Sequence, residues 1–466
     1  MSHPFPDDFV RLMERTLGPP EAAALVAALR QEAPVSIRLN AGVGSRFAEA
    51  GSVAWCAAGR YLQPPRPAFT FDPWLHAGAY YVQEAASMFV EQAARRILTE
   101  MSPRRVLDLC AAPGGKTTLW RSLLPDDCLL VANEPLRQRA SVLLENVQKW
   151  GHPDVAVTCA WPAELGRLTD AFDVVAADVP CSGEGMFRKD AGAVAEWSMQ
   201  NVEQCAARQR DIIRQIWPAL RAGGFLVYST CTFNPLEDEH NVSYICRELG
   251  AEPVPIAVEP HWGTAGDTTG GTLPVYHFFP HRARGEGFFL ALLRKSGDGG
   301  VTNGRRRSVR SSAPAPAGSA ALRGWLREPD GWALQCGIGG RVEAVRKWWA
   351  DWTQCLRATV NTLVCGVELA ELKGHKAVPA AALALSRAAA PDAFEQTDLD
   401  LAAALSYLRR ESLTLPASLT RGYVRVAYEG RPLGFVNHLG ARANNLYPAA
   451  WRIRSAYGPD AAAPAE

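Results

Sequence analysis

Two cysteines and an aspartate lie where buried strands are predicted to end. Asp178 ends one apolar segment and Cys181 follows it closely, whereas Cys231 follows a second apolar segment that ends at Ser229. In a sheet of parallel strands the carboxyl ends open on one crevice. Two thiols and one carboxylate are therefore predicted to converge on one bound ligand. A cysteine is also among the most buried residue types, and packing remains the interpretation of the other cysteines.

A loop rich in small residues follows the first predicted strand. Its sequence, LDLCAAPGGKT over residues 107–117, leads into a helix whose first N–H groups can face an anionic ligand. Neither GxGxxG nor Walker A spacing is present, which disfavours a nucleoside triphosphate. Glu134, at the end of the next strand, can accept hydrogen bonds from both hydroxyls of a ribose. The pattern favours a ribose-bearing ligand without a pyrophosphate, of which S-adenosylmethionine is the common one. The same sequence is also compatible with a tight turn that binds no ligand and leaves Glu134 exposed to solvent.

Short apolar runs alternate with helical stretches between residues 105 and 294. Val-rich and Leu-rich runs predict buried strands at Val106–Leu109, Leu129–Asn133, Val155–Thr158, Phe172–Ala177 and Phe225–Ser229. Helical period and length predict helices at Thr117–Leu124, Leu136–Trp150 and Asn201–Leu220. This alternation predicts an α/β fold with a doubly wound, mostly parallel sheet, to which Gly287–Arg294 would add a strand.

Composition divides the 466 residues into four parts. Residues 1–100 combine a helical stretch around Asp8–Arg30 with Pro-rich connections, and residues 101–295 hold the alternating pattern. Residues 296–320 are rich in Gly, Ser, Pro and Arg, which predicts a flexible Arg-rich linker. Residues 321–466 are again globular in composition and are predicted to form one small mixed α/β domain.

Charge and cysteine content restrict the class of protein. The chain has 49 Lys and Arg against 48 Asp and Glu, so a uniformly basic surface for nucleic acid is disfavoured while a local basic patch is not. The 11 cysteines lack zinc-site spacing and the density of a secreted disulfide scaffold, which predicts a reducing compartment and no metal. There is no signal-peptide pattern and no run of about 18 apolar residues. A cytoplasmic protein without membrane contact is predicted.

Five segments together resemble the RNA cytosine-C5 methyltransferases of the Sun/Nop2 family. They are LDLCAAPGGKT, DVPCSGEGMFRKD, YSTCTFNPLEDE, HAGAYYVQEAASM and FFPHRARGEGFFLALLRK, within residues 30–295. The stretch GEGMFRKD is similar to bacterial small-subunit rRNA methyltransferases of the RsmF type, and Gly422–Arg454 resembles the PUA-related RNA-binding module of that subgroup. The resemblance implies a Rossmann-like class I methyltransferase domain, an N-terminal RNA-binding extension and a C-terminal PUA-like α/β RNA-binding domain.

The resemblance also implies roles for the two thiols. In the family, the cysteine of the TC motif, here Cys231, adds to C6 of cytosine, which makes C5 reactive toward the methyl group of S-adenosylmethionine. The cysteine of the PC motif, here Cys181, assists loss of the C5 proton and release of the enzyme thiolate. Asp178 is expected to hydrogen-bond the pyrimidine N3 and the exocyclic amine, and Lys116 to hold the base or nearby negative charge.

Residues expected to contact S-adenosylmethionine come from the loop and from three other strand ends. They are Cys110, Ala111, Ala112, Pro113, Gly114, Gly115, Lys116, Glu134, Trp161 and Asp178. Many family members have an acidic or amide residue after the third strand, whereas this chain has the segment Cys159–Ala163. Backbone at Ala160 or Trp161, or stacking of the Trp161 ring, is expected to replace that contact near the adenine.

A base stacked in a duplex is out of reach, so the target cytidine must be flipped out or unpaired. Arg188 and Lys189 are predicted to contact the flanking phosphates, and Arg38 and Asn40, which resemble the RxN element of the family, to add backbone contacts. The linker adds a positive arm made of Arg305, Arg306, Arg307 and Arg310. Each of these residues has the ordinary alternative of a solvated surface residue.

These expectations together predict an S-adenosylmethionine-dependent methyltransferase that acts on C5 of cytidine in 16S rRNA. The substrate is expected within the small ribosomal subunit or an assembly intermediate, and the enzyme is expected to be a monomer. A tRNA cytosine-C5 methyltransferase would share the active-site residues, and only the C-terminal module favours rRNA. A DNA cytosine methyltransferase is disfavoured because it lacks the STC cysteine, and a catalytically silent ribosome-assembly factor would not need both thiols.

Overall fold

The computed structural model describes residues 5–41, 46–47, 50–297, 318–374, 376–440 and 442–455. The predicted contacts of the linker arginines, Arg305 to Arg310, lie outside the described residues. None of the described helices is long and apolar enough to cross a lipid bilayer.

The N-terminal region consists of two helices followed by a small antiparallel sheet and a short helix. Its elements are α1 (Asp7–Leu17), α2 (Pro19–Ala28), β1 (Ser36–Leu39), β2 (Gly51–Val53), β3 (Cys56–Tyr61), α3 (Pro73–His76) and β4 (Tyr80–Val82). The sheet order is β2-β3-β1-β4. The single helical stretch predicted near Asp8–Arg30 is divided, because Gly18 takes φ 82° and a proline begins α2.

The central region is a three-layer α/β domain. Its helices are α4 (Val90–Leu98), α5 (Gly115–Leu123), α6 (Arg137–Trp150), α7 (Pro162–Leu165), α8 (Ala191–Glu196), α9 (Met199–Ile216) and α10 (Glu239–Leu249). Its strands are β5 (Arg105–Asp108), β6 (Leu129–Asn133), β7 (Val155–Thr158), β8 (Phe172–Asp178), β9 (Leu220–Thr230), β10 (Ala251–Pro253), β11 (Val275–Phe278) and β12 (Phe288–Lys295). Strands β5 to β9 are parallel, which confirms the predicted doubly wound sheet.

Two hydrophobic clusters cover the two faces of this sheet. Val106 and Val227 belong to one cluster, and their strand neighbours Leu107 and Leu226 belong to the other. Successive side chains of a strand point to opposite faces, so strands that are buried on both sides contain nearly continuous apolar runs. The same arrangement directs the carboxyl ends of β5, β6, β8 and β9 toward one edge of the domain.

The C-terminal region contributes to three sheets. Its strands are β13 (Trp332–Cys336), β14 (Arg341–Arg346), β15 (Thr362–Cys365), β16 (Val367–Lys373), β17 (Lys376–Pro379), β18 (Gln396–Asp398), β19 (Leu413–Thr414), β20 (Gly422–Tyr428), β21 (Arg431–His438) and β22 (Arg442–Asn445). Its helices are α11 (Ala350–Thr359), α12 (Ala381–Leu385) and α13 (Leu401–Leu408). One sheet has the order β13-β14-β16-β17, and another has the order β18-β20-β21-β22-β19.

Strand β15 of this region joins the central sheet, where it pairs antiparallel with β7. The described part of residues 321–466, which were predicted to form one domain, contributes to two further sheets and adds one strand to the central sheet. The added strand covers the backbone groups that β7 would otherwise expose at the sheet edge. A four-residue strand has no sequence signal for the sheet that it joins, which explains the difference.

Candidate active site

The loop between β5 and α5 is tightly anchored to its surroundings. The Ala111 N–H donates to the carbonyl of Asn133 over 2.8 Å, and Asn146 Nδ2 donates to the carbonyl of Pro113 over 2.7 Å. Gly114 takes φ 117°, and a Cβ there would lie 3.3 Å from Cβ of Asn146. The φ value favours glycine, and a Cβ would also require the Asn146 side chain to shift slightly. The loop presents backbone, rather than large side chains, to a ligand at the start of α5.

Two buried groups lie at the base of this loop. Asp108 accepts a hydrogen bond from Thr117 Oγ1 over 2.6 Å. Burial raises the pKa of Asp108 to about 7, although the Thr117 hydrogen bond opposes the shift. Burial also raises the pKa of the Cys110 thiol. A neutral thiol at Cys110 fits a contribution through its backbone.

Glu134 follows β6 and is almost entirely buried. Its Oε1 accepts from the Leu136 N–H over 3.1 Å, and its Oε2 lies 3.5 Å from Nη1 of Arg139. Arg139 Nη2 also donates to the carbonyl of Ala112 over 3.1 Å, so its half-exposed side chain bridges the loop and Glu134. The carboxylate is therefore in a position that fits a ribose-bearing cofactor.

The end of β7 leaves an aromatic ring open to solvent. Trp161 is 59% exposed, while the preceding Ala160 is buried and its N–H donates to Asn133 Oδ1 over 3.0 Å. Asn133 Nδ2 donates in turn to the carbonyl of Ala160 over 2.9 Å. The Trp161 ring is free to stack on a planar group. The N–H and the carbonyl of Ala160 already form hydrogen bonds with Asn133.

Asp178 connects the cofactor loop with β9. Its Oδ2 accepts from Lys116 Nζ over 2.8 Å, and its Oδ1 accepts from Ser229 Oγ over 2.8 Å. Burial lowers the pKa of Lys116, but the charge and the hydrogen bond of Asp178 outweigh it, so that the pKa is raised. Lys116 therefore stays cationic at neutral pH. Ser229 had no assigned role in the sequence, although it lies in β9 only two residues before Cys231.

The two motif cysteines lie against each other. Cys181 Sγ and Cys231 Sγ are 3.0 Å apart, and both thiols are free. The hydrogen bond with Cys231 and burial raise the pKa of Cys181 well above its ordinary value. Cys181 is thus a neutral thiol at neutral pH, able to donate to Cys231 Sγ. The structure brings together the thiol pair that the sequence predicted to converge.

Three buried side chains beside Cys231 carry donor atoms typical of metal ligands. The candidate ligand atoms of Asp238, Glu239 and His277 all lie within 4.8 Å of one another. Asp238 Oδ1 accepts from Thr230 Oγ1 over 2.6 Å, and Glu239 Oε1 lies 2.9 Å from Nε2 of His277. The hydrogen bond from Thr230 supports the strand end that leads into Cys231. The predicted absence of a metal stays a prediction.

Arg38 is not placed to contact RNA. Its side chain is fully buried, where Nε donates to Gln83 Oε1 over 2.8 Å and Nη2 donates to Thr118 Oγ1 over 2.5 Å. The guanidinium also lies 4.5 Å from the ring centroid of Trp150. The predicted phosphate contact does not fit, because Arg38 joins the N-terminal sheet to α5 and α6. Burial of this kind depends on tertiary packing that the sequence pattern did not reveal.

Asn40 has a similar structural role. Its Nδ2 donates to the carbonyls of Gly78 and Trp150 over 2.8 and 3.1 Å, and its Oδ1 accepts from Arg387 Nη2 over 2.6 Å. These bonds connect the N-terminal, central and C-terminal regions. The predicted RNA contact of Asn40 is therefore also replaced by contacts within the protein.

Arg188 and Lys189 differ in their availability to RNA. The Arg188 side chain is 5% exposed, donates to Glu286 Oε2 over 2.8 Å and also donates to the carbonyl of Gly285. It is held in a buried ion pair, which contradicts its predicted phosphate contact. Lys189 is 34% exposed and lies 3.6 Å from Glu286 Oε1, so its contact with RNA stays a prediction.

Comparison with known families covers most of the chain. Residues 5–85 match the N-terminal domain of 16S rRNA methyltransferase RsmF, residues 96–294 match the 16S rRNA methyltransferase RsmB/F family, and residues 394–453 match the methyltransferase RsmF PUA domain. The last range contains the sheet formed by β18 to β22, as the PUA resemblance predicted.

Curated relatives align with most of this chain. The ribosomal RNA small subunit methyltransferase F of Erwinia tasmaniensis is 33% identical over 401 residues, which is 80% of this chain and 78% of the relative. The protein of the same name from Escherichia coli O157:H7 is 30% identical over 473 residues, which is 95% of this chain and 92% of the relative.

Solved structures share the fold. NSun6 from Pyrococcus horikoshii, solved with SFG, superposes with a TM-score of 0.53 at 22% identity and covers 63% of this chain and 99% of its own. A methyltransferase homolog protein from Pyrococcus horikoshii gives a TM-score of 0.53 at 24% identity, covering 62% and 95%. Together with the sequence matches, these findings show that the chain belongs to the ribosomal RNA small subunit methyltransferase F family of S-adenosylmethionine-dependent methyltransferases.

Proposed function

We propose that this protein methylates C5 of a cytidine in small-subunit rRNA through a covalent adduct between Cys231 and C6 of the base. The observation that carries the proposal is the pair of free thiols, Cys181 and Cys231, with Sγ atoms 3.0 Å apart beside Asp178 and Lys116. A methyltransferase that acts on a nitrogen or oxygen nucleophile needs no such pair. A carbon nucleophile such as C5 has to be activated first, and a thiol can supply that activation.

Cys231 is the residue proposed to form the bond. Its Sγ adds to C6, the C5=C6 π bond breaks, and C5 becomes a nucleophile. S-adenosylmethionine, when bound at the β5–α5 loop and Glu134, supplies the methyl group. Transfer of the C5 proton to water and cleavage of the C6–Sγ bond then restore the double bond and return Cys231 to its thiolate form. Cys181, as a neutral thiol next to Cys231, can hydrogen-bond the departing thiolate.

Asp178 and Lys116 are proposed to hold the base and its developing charge. The carboxylate is fixed from both sides, by Lys116 Nζ and by Ser229 Oγ. A preorganised carboxylate can accept a hydrogen bond from the exocyclic amine of cytosine. The cationic lysine can stabilise negative charge that develops on the ring. A uracil has a carbonyl where cytosine has that amine, so this arrangement favours cytosine.

The substrate assignment rests on the relatives and on the domain organisation. The curated relatives are named for small-subunit rRNA, and the chain carries a match to a PUA domain. We infer that the N-terminal and PUA domains hold RNA, either naked or within the small subunit or an assembly intermediate, while an unpaired or flipped cytidine enters the crevice. Trp74 Nε1 donates to Glu429 Oε2 over 2.7 Å across the interface of these two domains, which supports a fixed relative placement.

The mechanism is tested with two single-cysteine variants and rRNA in denaturing electrophoresis. Cys231→Ala is expected to abolish methyl transfer and to form no adduct while it still binds S-adenosylmethionine. Cys181→Ala is expected to accumulate an RNA–protein adduct that resists denaturation. Cys246→Ala, at a cysteine outside the crevice, serves as the control. Normal turnover by Cys231→Ala would refute the assignment of Cys231 as the nucleophile. If only Cys231→Ala accumulated an adduct, Cys181 would be the nucleophile and Cys231 would assist release.

The substrate is tested by bisulfite sequencing of total RNA from cells with and without the gene. We expect a 5-methylcytidine that is lost from small-subunit rRNA in the deletion and restored by the intact gene but not by the Cys231→Ala variant. Loss confined to tRNA positions would instead assign the activity to tRNA.

A further inference from the structure

Two buried glutamates form hydrogen bonds between the two loops that carry the cysteines. Glu237, on the loop after Cys231, accepts from the backbone N–H of Ser182 over 3.0 Å and from Ser182 Oγ over 2.5 Å. Ser182 directly follows Cys181. The carboxylate of one cysteine loop thus fixes the backbone next to the other cysteine.

Glu184 makes the reciprocal contact. It belongs to the loop after Cys181, and its Oε2 accepts from the backbone N–H of Phe233 over 2.6 Å. Its Oε1 accepts from Asn234 Nδ2 over 2.8 Å and from Trp197 Nε1 over 3.0 Å. Phe233 lies two residues after Cys231. Each loop therefore contributes one carboxylate that binds the backbone of the other loop.

Further contacts connect the two carboxylates and the two loops. Asn234 Nδ2 also donates to Glu237 Oε1 over 2.9 Å, so that one amide group bridges both glutamates. The Gly185 N–H donates to the carbonyl of Cys231 over 2.7 Å, and a Cβ at Gly185 would lie 2.8 Å from that oxygen. The loops are in direct backbone contact, and the carboxylates hold them on both sides of that contact.

The hydrogen bonds to Glu184 and Glu237 take the place of the cation that a buried carboxylate otherwise needs. Both carboxylates are fully buried, and within the part of the chain that the structure describes neither forms an ion pair with Lys, Arg or His. Burying a carboxylate without a cation is expensive unless several hydrogen bonds compensate. Hydrogen bonds to a charged acceptor are short and directional, which makes them suited to fixing a geometry.

We infer that Glu184 and Glu237 are positioning residues that hold the two thiols in register, with each acting on the cysteine of the opposite loop. Glu237 acts through Ser182 on Cys181, and Glu184 acts through Phe233 on Cys231. The inference rests on the proposed function, since it assigns each carboxylate to one half of the covalent cycle. Glu237 supports release of the adduct, and Glu184 supports its formation.

The test uses Glu237→Gln and Glu184→Gln in the full-length protein under single-turnover conditions. Formation and decay of the RNA adduct are followed separately by quenching and denaturing electrophoresis. Glu237→Gln is expected to slow decay by about 10-fold or more and so to accumulate adduct, with formation little changed. Glu184→Gln is expected to slow formation by about 10-fold or more, without accumulation.

A matched control separates positioning from general stability. Glu343 is a buried glutamate that accepts from the Cys365 N–H and from Arg357, far along the chain in the C-terminal region. Glu343→Gln is expected to lower the unfolding temperature without altering the ratio of adduct formation to decay. Equal slowing of both rates in Glu237→Gln and Glu184→Gln, as in a general loss of folded enzyme, would overturn the inference.

A milder variant keeps the inference testable if a glutamate variant does not fold. Ser182→Ala removes one of the bonds to Glu237 and leaves the backbone N–H bond, so it is expected to slow adduct decay by a smaller factor in the same direction. Unchanged decay in Ser182→Ala and in Glu237→Gln would refute the role of Glu237. If Cys181→Ala itself trapped no adduct, the proposed function would fail first, which distinguishes the two outcomes.

Discussion

The cysteine side and the cofactor side of the same crevice differ in how their side chains are held. At the ends of β8 and β9, Ser182, Thr230 and Glu237 are at most 6% exposed. Ser182 donates to Glu237 across the two loops, and Thr230 donates to Asp238 of the loop that follows its own strand. At the ends of β6 and β7, Leu136 and Trp161 are 50% and 59% exposed. The fold alone fixes the side that is proposed to form bonds, whereas the other side leaves apolar surface that a cofactor can cover.

The difference follows from what each side has to do. An addition to C6 requires the sulfur, the base and the methyl donor within a narrow range of positions, so an error near 1 Å costs about 10²-fold in rate. Cofactor binding tolerates adjustment because its energy comes from several separate contacts. Asp178 joins the two sides, through Lys116 on one and Ser229 on the other.

Replacing Asp178, which connects the two sides of the crevice, should have the largest effect on activity. Asp178→Asn removes the charge that Lys116 contacts, and the rate of methylation at saturating cofactor is expected to fall by about 10²- to 10³-fold. Asp173→Asn is the control, because Asp173 lies at the opposite end of β8 and accepts from the backbone of Arg104 and from Arg221. Equal activity losses in the two variants would show that Asp178 only supports the strand.

A somewhat smaller effect is expected on the cysteine side, where Glu184 should make the free energy of unfolding depend on pH. Burial, together with the charge of Glu237, raises the pKa of Glu184 to about 7 from an ordinary value of 4.5. Between these two values the folded state binds more protons than the unfolded state, so Glu184 reduces stability as the pH rises through this window. The contribution is on the order of 3 kcal/mol.

Urea unfolding at a series of pH values measures this contribution. Relative to the wild type, Glu184→Gln is expected to remove part of the loss of stability between pH 5 and about 7, with little difference in slope above that range. Glu91→Gln, at a buried glutamate that is paired with Arg95, provides the comparison. A wild-type profile in which stability rises through this window, and is unaffected by Glu184→Gln, would contradict the prediction.

The strand-end rule placed the crevice residues correctly, because it depends only on strand order and direction. Lys116 meets Asp178, and Cys181 meets Cys231, as parallel strands that share an edge require. The rule says nothing about side chains that are buried by tertiary packing. Arg38 illustrates this, since its strand pairs with two others and its guanidinium enters the space between α5 and α6.

Positioning residues escaped the sequence analysis for a related reason. Glu184 and Glu237 stand within the quoted motifs, yet acidic residues in loops are usually solvated, and nothing in the spacing indicates that each reaches the opposite loop. Strand β15 was missed because its pairing with β7 depends on where the C-terminal region packs. Short-range patterns thus predicted the sheet and the crevice, whereas long-range contacts decided which polar groups are buried.

The cofactor side is expected to respond through binding rather than chemistry. Glu134→Gln replaces the carboxylate that would accept the ribose hydroxyls, and the Kd for S-adenosylmethionine is expected to rise by about 10-fold or somewhat more. At saturating cofactor, adduct formation should stay close to the wild-type rate. Calorimetry measures the Kd, with Glu145→Gln, at a partly buried glutamate of α6 that pairs with Lys149, as the control. A slowed adduct step at saturation would place Glu134 in the chemistry instead.

Trp161→Ala should give the smallest change and sharpen the assignment of the adenine contact. The ring is exposed and makes its predicted contact only with ligand, so removing it is expected to raise the Kd for S-adenosylmethionine by about 3- to 10-fold, as loss of one stacking contact at a solvent-facing site would. Trp348→Ala, at another half-exposed tryptophan, should leave the Kd unchanged. An unchanged Kd in Trp161→Ala would refute ring stacking and leave the adenine to backbone contacts after β7. Because the substitution lies far from the hydrogen bonds that hold Cys181 and Cys231, the ratio of adduct formation to decay should remain that of the wild type, even where cofactor binding is weakened.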